Sequence, residues 1–437
     1  MKLPEKSSTR ETVMSALARA RESDANWRGG RTFSLVYWAG DDVLRLLHDA
    51  FFEYFSENAL NPMAFPSLRR FETEVCAMAG SLLGHEGAAG AMTSGGTESI
   101  LMAVKTARDW AREKMPHVKE PEMVLPMSVH PAFEKAAHYF GVRPVHAPLE
   151  SNFRVSVDGM RAAITENTIL LVGSAPSYPQ GVVDPIEDIA KLAEERNLLC
   201  HVDACVGGFM LPFARKLGRP IPAFDFSVPG VTSMSADLHK YGWAAKGASV
   251  VLYRTRELRR HQYVVYTDWP GGLYGSPSAP GTRPGGPIAA AWAVMNYLGE
   301  EGYLRLAKKT LDTTDAVLAA IREMPEIRVL GEPAMSVFSF GSDALDVYAI
   351  GDAMQERGWN LDRQQRPASL HMTITPKHEP LVGDIARDLR TSIERVKSGA
   401  TANGSAAMYG MLNDLPDRGT VRDIVLEVLD GMTAAAE

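Results

Sequence analysis

The chain has 437 residues, 45% of them hydrophobic and 23% charged, with a net charge of −7. That is the range of a soluble globular protein large enough for more than one structural unit, and the acidic balance offers no basic field to nucleic acid. Three cysteines, Cys76, Cys200 and Cys205, form neither a CxxC pair nor a zinc spacing, which argues against a disulfide framework or structural metal and for a reduced, cytoplasmic compartment.

Residues 1 to 31 are studded with charge and lack the apolar centre of a signal peptide. No apolar run has the length to span a bilayer, so no transmembrane segment is expected. Thr12 to Ala20 can form one amphipathic helix in an otherwise polar, mobile arm. A helix is expected from Asp41 to Phe55, where apolar residues recur at helical spacing. Two prolines break residues 58 to 66, and Ser67 is placed to cap the next helix, to about Leu83. Ala91 to Ser99 reads as a Ser/Gly/Gly/Thr loop opening a helix from Ile100 to about Lys114. Its free backbone N–H groups and the helix dipole favour a phosphate. The plainer reading is a capped helix start, Thr97 with Glu98 in the first turn.

Beyond this point short apolar strands alternate with helices. Strands are expected at 123–125, 169–173, 198–203 and 231–235, and helices at 131–140 and 186–196. Such alternation implies parallel βαβ units, with ligands bound at the carboxyl ends of the strands. His130, Tyr178, Asp203 and Lys240 stand at such ends. A carboxylate there needs a partner, and a protonated pyridine nitrogen would serve for Asp203; capping the next turn is the plainer use. His130 either stacks on an aromatic cofactor or caps a helix. His201 reads as structural.

The stretch Ser233–Gly247 lies between two strands and holds Lys240 among small residues. Burial lowers the pKa of an amine, and a neutral amine can attack a carbonyl and hold it as a Schiff base. Lys240 is thus a candidate carrier of pyridoxal phosphate; the alternative is a strand-end lysine with its amine in water. Residues 268–287 form a Gly/Pro-rich loop of the kind that carries function. Helices at 288–298 and 303–324 follow, the second connecting to a smaller domain that reads strand, strand, helix, strand, strand, helix. A polar linker, a short segment at 406–412 and a helix at 421–432 close the chain. Three parts are expected: an N-terminal arm and helix (1–57), a large cofactor-binding domain (58–302) and a small C-terminal domain (303–437).

Five segments in order, 58–70, Thr93–Ser99, His201–Gly208, Ser235–Gly242 and Thr267–Tyr274, resemble the sphingosine-1-phosphate lyase family. These are fold-type I pyridoxal-phosphate enzymes of the group II decarboxylase superfamily. The resemblance runs from about Tyr37 to Asp430. It implies an α/β fold, a transferase-like mostly parallel central sheet flanked by helices, with a smaller C-terminal α/β domain. It implies Lys240 as the Schiff-base lysine, Asp203 at the pyridine nitrogen and His130 on the ring. Gly96, Thr97 and His239 would hold the cofactor phosphate, joined by Thr282 from the partner subunit of a homodimer with shared active sites. Tyr37, Tyr178 and Lys246 match positions at the substrate phosphate or reacting centre, and Lys246 and Tyr178 are the candidate bases. Asn61 stands where the family carries a His in its phosphate site. The implied reaction cleaves the C2–C3 bond of a sphingoid base 1-phosphate. Amino-acid decarboxylation on the same fold is the rival, which fold analogy does not separate.

Overall fold

The computed structural model describes residues 2–399, 415 and 417–433; the expected segment at 406–412 lies outside them. Three helices come first. α1 (Arg10–Ala20), capped by the Thr9 hydroxyl, buries nothing. α2 (Asp41–Glu53) turns Val43 and Leu47 inward and carries Asp41 and Asp42 in its first turn, where the helix dipole favours them. α3 (Pro66–Leu82) starts before the expected Ser67 cap. Pro66 takes the first helical position, where its missing N–H costs nothing.

The main sheet comprises β1 (Ala89–Thr93), β2 (Glu122–Pro126), β3 (Arg143–Ala147), β4 (Thr168–Ser174), β5 (Leu199–Asp203), β6 (Ser233–Ala236) and β7 (Ser249–Tyr253). Their spatial order is β1-β7-β6-β5-β4-β2-β3. β7 runs antiparallel to both its neighbours, and the remaining pairs are parallel. Between strands run α4 (Gly96–Lys114), α5 (Ala132–Phe140), α6 (Val157–Ala163), α7 (Ile186–Arg196) and α8 (Leu211–Lys216), with α9 (Arg256–Arg260) after β7. β4 and β5 are buried along their whole length, as a parallel sheet covered on both faces requires. Leu171, Val202 and Met234 enter the core on one face; Leu170, Val172 and Val251 enter the core on the other. The expected α/β architecture is therefore the one found.

β1, β3 and α6 are not apparent from sequence periodicity. β1 reads Ala-Gly-Ala-Met-Thr, too short and small-chained to signal a strand. Its Gly90 is required, because a Cβ would stand 2.5 Å from the Val251 carbonyl oxygen. The Gly/Pro-rich loop is entered through a hairpin, β8 (Val264–Tyr266) and β9 (Tyr274–Ser276), whose first strand is exposed throughout.

α10 (Gly285–Arg322) is broken at Gly299 (φ 53°, ψ −174°), giving the two expected helices. β10 (Arg328–Val329), β11 (Val337–Gly341), β12 (Asp362–Gln364) and β13 (Ser369–Thr373) form an antiparallel sheet in the order β10-β11-β13-β12. α11 (Val347–Gln355) and α12 (Val382–Lys397) pack on it, and α13 (Arg418–Thr433) buries nothing. The N-terminal arm is tied to this small sheet. Thr32 bridges Asn360, and the Thr373 N–H donates to Phe33 O at 2.7 Å. The buried Phe33 ring stacks on Trp359 and His378. Residues 34–37 are thereby carried over the carboxyl ends of the main sheet. No helix among the described residues is long and apolar enough to cross a membrane.

Candidate active site

Three parallel strands end abreast: Ser174 of β4 pairs with Asp203 of β5, and Asp203 with Ser235 of β6. Past Ala236 the chain folds back through a tight turn to β7. The Trp243 N–H donates to Lys240 O at 3.0 Å, with Trp243 itself at φ 59°. Gly242 is needed in this turn, since a Cβ would meet the Leu238 backbone at 2.6 Å. Lys240 Nζ then lies 2.9 Å from Asp237 Oδ2, and His239 Nε2 lies 3.5 Å from the same oxygen. Burial pushes the Asp237 pKa up, but the Lys240 charge and His239 outweigh it and hold the carboxyl far below the usual range. Burial likewise opposes the Lys240 charge, yet Asp237 prevails and raises the amine's pKa. The expectation that burial strips Lys240 of its charge is corrected: with a carboxylate at 2.9 Å it is an ammonium.

Asp203 is buried, and its Oδ1 accepts from the Cys205 N–H (3.0 Å) and the Ser235 hydroxyl (3.2 Å). It therefore caps the next turn and also lines the cleft. His130 combines its two readings in the same way. Its Nδ1 accepts from the Ala132 N–H at 3.1 Å at the start of α5, while the ring lines the cleft.

Two neighbouring hollows share His130, Cys205 and Lys240 in their walls. One, of about 320 Å³, is lined by Tyr37, Tyr178, Asp203, Lys246 and Asp362 among others. The other, of about 330 Å³, is lined by Ser94, Gly95, Gly96, Thr97, Asp237 and His239. A larger groove of about 700 Å³ beside Trp110, Arg254 and His261 contains none of these residues.

The second hollow fits the phosphate end of the expected cofactor. It opens on the N-terminus of the 19-residue α4, which has no side-chain cap, so backbone N–H groups and the helix dipole face it. Thr97 lies in that first turn rather than capping it. A Cβ on Gly96 would stand 2.7 Å from Cys205 Sγ and 2.9 Å from both Asp237 oxygens, so only glycine leaves the space. His239 Nδ1 accepts from the Ala248 N–H at 3.2 Å, which puts the ring proton on Nε2. Asp203 and Lys240 both line the first hollow, a carboxylate and an amine of the kind that a pyridine nitrogen and an aldehyde need.

The first hollow is walled by distant segments. The Tyr178 hydroxyl donates to Asp362 Oδ2 at 2.8 Å, and its ring stacks on His371 at 4.1 Å. Burial, then the Asp362 charge, push the Tyr178 pKa far up. Tyr37 packs edge-on to Tyr241 at 4.9 Å, and burial pushes its pKa to about 12. Lys246 Nζ lies 3.3 Å from His239 O and 5.1 Å from the centre of the Tyr37 ring. Lys246 as a whole is exposed by surface area, yet its amine stands among the cleft side chains. Burial there, then the Lys240 charge, lower its pKa to about 8.

Asn61 and Thr282 do not line the cleft of their own chain. Both are exposed, and Asn61 Oδ1 accepts from the Met63 N–H at 2.9 Å. They belong to one patch, because Asn58 bridges Pro284 and the Ala59 N–H donates to Arg283 O. Arg283 turns inward instead, its Nη2 donating to Glu72 Oε2 at 2.9 Å. Sequence reasoning missed Asp237 as the partner of Lys240, Cys205 between the two hollows, and Asp362 and Thr373 from the small sheet. Asp237 could have been found, since it lies three residues before Lys240. Nothing local marks Asp362.

The family described as pyridoxal-dependent decarboxylase conserved domain matches residues 25–342. Sphingosine-1-phosphate lyase of Arabidopsis thaliana is 45% identical over 429 residues, covering 96% of this chain and 78% of that one. Sphingosine-1-phosphate lyase 1 of Rattus norvegicus is 42% identical over 436 residues, covering 98% and 76%. The solved structure of Burkholderia pseudomallei sphingosine-1-phosphate lyase superposes with a TM-score of 0.92 at 39% identity, covering 100% of this chain and 98% of that one. Glutamate decarboxylase of Lactobacillus brevis shares the fold at 18% identity, with a TM-score of 0.78 and coverage of 92% and 97%. The chain belongs to the sphingosine-1-phosphate lyase family of pyridoxal-dependent enzymes.

Proposed function

We propose that the protein is a pyridoxal-phosphate-dependent aldehyde-lyase acting on sphingoid base 1-phosphates and releasing a long-chain aldehyde and phosphoethanolamine. The observation that carries this reading is a pair of hollows that share Lys240, one lined by Asp203 and the other by the Gly95–Gly96 cradle, in a chain of this family. When bound, the cofactor supplies an aldehyde that an amine can capture and a protonated ring that accepts electrons. Lys240 would hold its aldehyde carbon, Asp203 its ring nitrogen, His130 its ring face, and Gly96, Thr97 and His239 its phosphate.

The remaining cleft residues act on the substrate. Lys246 is the base that takes the C3 hydroxyl proton, because a base works best with a pKa near the working pH and burial brings Lys246 to about 8. Tyr178 is not the base: to accept a proton it would first have to become a phenolate beside the Asp362 carboxylate. Tyr37, kept a phenol by its raised pKa, offers a donor to the substrate phosphate. Asp237 holds the proton and the position of the Lys240 amine whenever that amine is free.

We also read the protein as a cytoplasmic homodimer with shared sites. Its three cysteines are free and buried, as in a reducing compartment. Asn61 and Thr282 lie together on a patch that also exposes Leu60 and Met63, and strand β8 likewise exposes Val264, Val265 and Tyr266. Such a surface suits a second copy, whose cleft these two residues would complete. We keep the division into arm and helix (1–57), large domain (58–302) and small domain (303–437), with Phe33 of the arm packed into the core of the small one and Tyr37 against that of the large one.

The test is product analysis with dihydrosphingosine 1-phosphate, its unphosphorylated base, and glutamate or aromatic amino acids. Long-chain aldehyde and phosphoethanolamine in equal amounts from the phosphorylated base are expected. Carbon dioxide from an amino acid, with no aldehyde, would overturn the reading. Mixed dimers of Lys240→Ala and Thr282→Asp chains should regain activity that neither parent has; no recovery would exclude shared sites.

A further inference from the structure

Behind Asp203, on the side away from the cleft, His201 sits between two serines of the neighbouring strand. The register sets this up, His201 pairing with Ser233 and Asp203 with Ser235, since alternate residues of a strand share a face. His201 Nδ1 lies 2.9 Å from Ser233 Oγ, and Nε2 lies 3.2 Å from Ser235 Oγ. The Ser235 hydroxyl reaches on to Asp203 Oδ1 at 3.2 Å. His201 is fully buried with the Phe133 ring at its edge. Burial lowers its pKa to about 4, the Asp203 charge opposing. The imidazole is therefore neutral near pH 7 and carries one N–H.

Counting protons gives the chain a direction. The Asp203 carboxylate only accepts. Ser235 has one proton and gives it to Asp203, a stronger acceptor than the Cys205 thiol that also lies beside it. Ser235 Oγ must then accept from His201, which fixes the proton on Nε2. Nδ1 is left with a lone pair and accepts from Ser233. The bonds run Ser233 to His201 to Ser235 to Asp203, all pointing at the carboxylate. In a buried site successive hydrogen bonds polarise one another. Packing alone would not need this, because an aliphatic side chain fills the space without two nitrogens to satisfy.

We propose that His201 is a positioning residue for Asp203: through Ser235 it holds the carboxylate oriented for the ring nitrogen of pyridoxal phosphate. The inference rests on the assignment of Asp203 to that nitrogen. The experiment compares His201→Leu, His201→Gln, Ser235→Ala and Asp203→Asn as purified holoenzymes. It reads the cofactor dissociation constant, the pH titration of the bound cofactor's visible absorbance, and thermal unfolding.

His201→Leu and Ser235→Ala should each weaken cofactor binding roughly three- to tenfold, the effect of one hydrogen bond, and shift the absorbance titration in the same direction. His201→Gln, whose amide N–H can reach Ser235, should recover most of the loss. The double variant should be little worse than either single one, because both cut the same chain. Loss of thermal stability with wild-type affinity and titration would overturn the proposal. So would a stable Gln variant behaving like Leu, or fully additive effects. If His201→Leu does not fold, Ser235→Ala decides by the same criteria. If Asp203→Asn shifts both readouts and His201→Leu neither, the relay alone is wrong. If Asp203→Asn shifts neither, the assignment of Asp203 falls and takes the relay with it.

Discussion

On the side of the cleft proposed to hold the cofactor, partners lie close in sequence or on adjacent strands. Lys240 meets Asp237 three residues earlier, and Asp203 is held by Cys205 two residues later and by Ser235 on the next strand. On the side proposed for the substrate the ties are long. Tyr178 reaches Asp362 across 184 positions, His371 Nε2 lies 3.0 Å from the carbonyl of Tyr178 across 193, and His378 Nε2 lies 2.9 Å from that of Thr32 across 346. One wall is a rigid consequence of strand register. The other exists only because the arm and the small sheet fold over the first. The difference suggests that cofactor chemistry and substrate fit can be broken separately.

The largest effect falls on the cofactor wall. Lys240→Ala should reduce aldehyde release to background and abolish covalent attachment of the cofactor, with circular dichroism unchanged. Retained turnover would remove Lys240 from the chemistry and leave the two walls with no functional distinction.

Next comes Lys246, which stands where the walls meet. As the base it must be neutral, so activity should rise with pH through about 8. Lys246→Met should lose this limb and roughly 10²–10⁴ in kcat, the usual share of a general base, while cofactor absorbance stays unchanged. A phosphate clamp needs the charged form, so activity falling through the same pH range would assign Lys246 to substrate binding instead.

Acid should loosen the substrate wall before the cofactor wall. Burial lowers the pKa values of His371 and His378 from 6.5 to about 4. The unfolded chain therefore takes up their protons first. Each contributes stability that is complete above about pH 6.5 and lost by about 1.4 kcal/mol per pH unit down to about 4. His201 of the cofactor wall behaves in the same way, but Asp184, which accepts from the Ser174 N–H at 2.8 Å, is raised to about 6 by burial. That carboxyl gains its proton in the folded state first and so stabilises the fold as pH falls from about 6 to 3.8. Measured against intrinsic exchange, protection factors at pH 5 should thus fall at Thr32–Tyr37 more than in β4–β6. An equal fall would erase the contrast.

The smallest effect is expected from Tyr178→Phe, which cuts one tie between the walls. KM should rise roughly three- to tenfold, the effect of one hydrogen bond, with cofactor affinity unchanged. A kcat loss near that of Lys246→Met would make Tyr178 the base after all.

Much of this protein was legible in its sequence. Apolar runs buried on both faces marked β4 and β5, because such a run leaves no polar face for water. The Gly95–Gly96 cradle and the Asp203 and Lys240 positions could be read locally, since each sits within a few residues of the strand end that presents it. The small-residue strand β1 could not, because its place is set by the close approach of β7 to Gly90 rather than by any propensity of its own. The charge state of Lys240 also escaped, since composition indicates burial but not which carboxylate shares it. Asp362, Thr373 and the course of residues 34–36 were decided by tertiary structure alone, and Tyr37 was named only through the family resemblance, not by any local pattern. Their side chains meet the cleft through contacts between segments hundreds of residues apart, and no local pattern encodes a loop closure of that length.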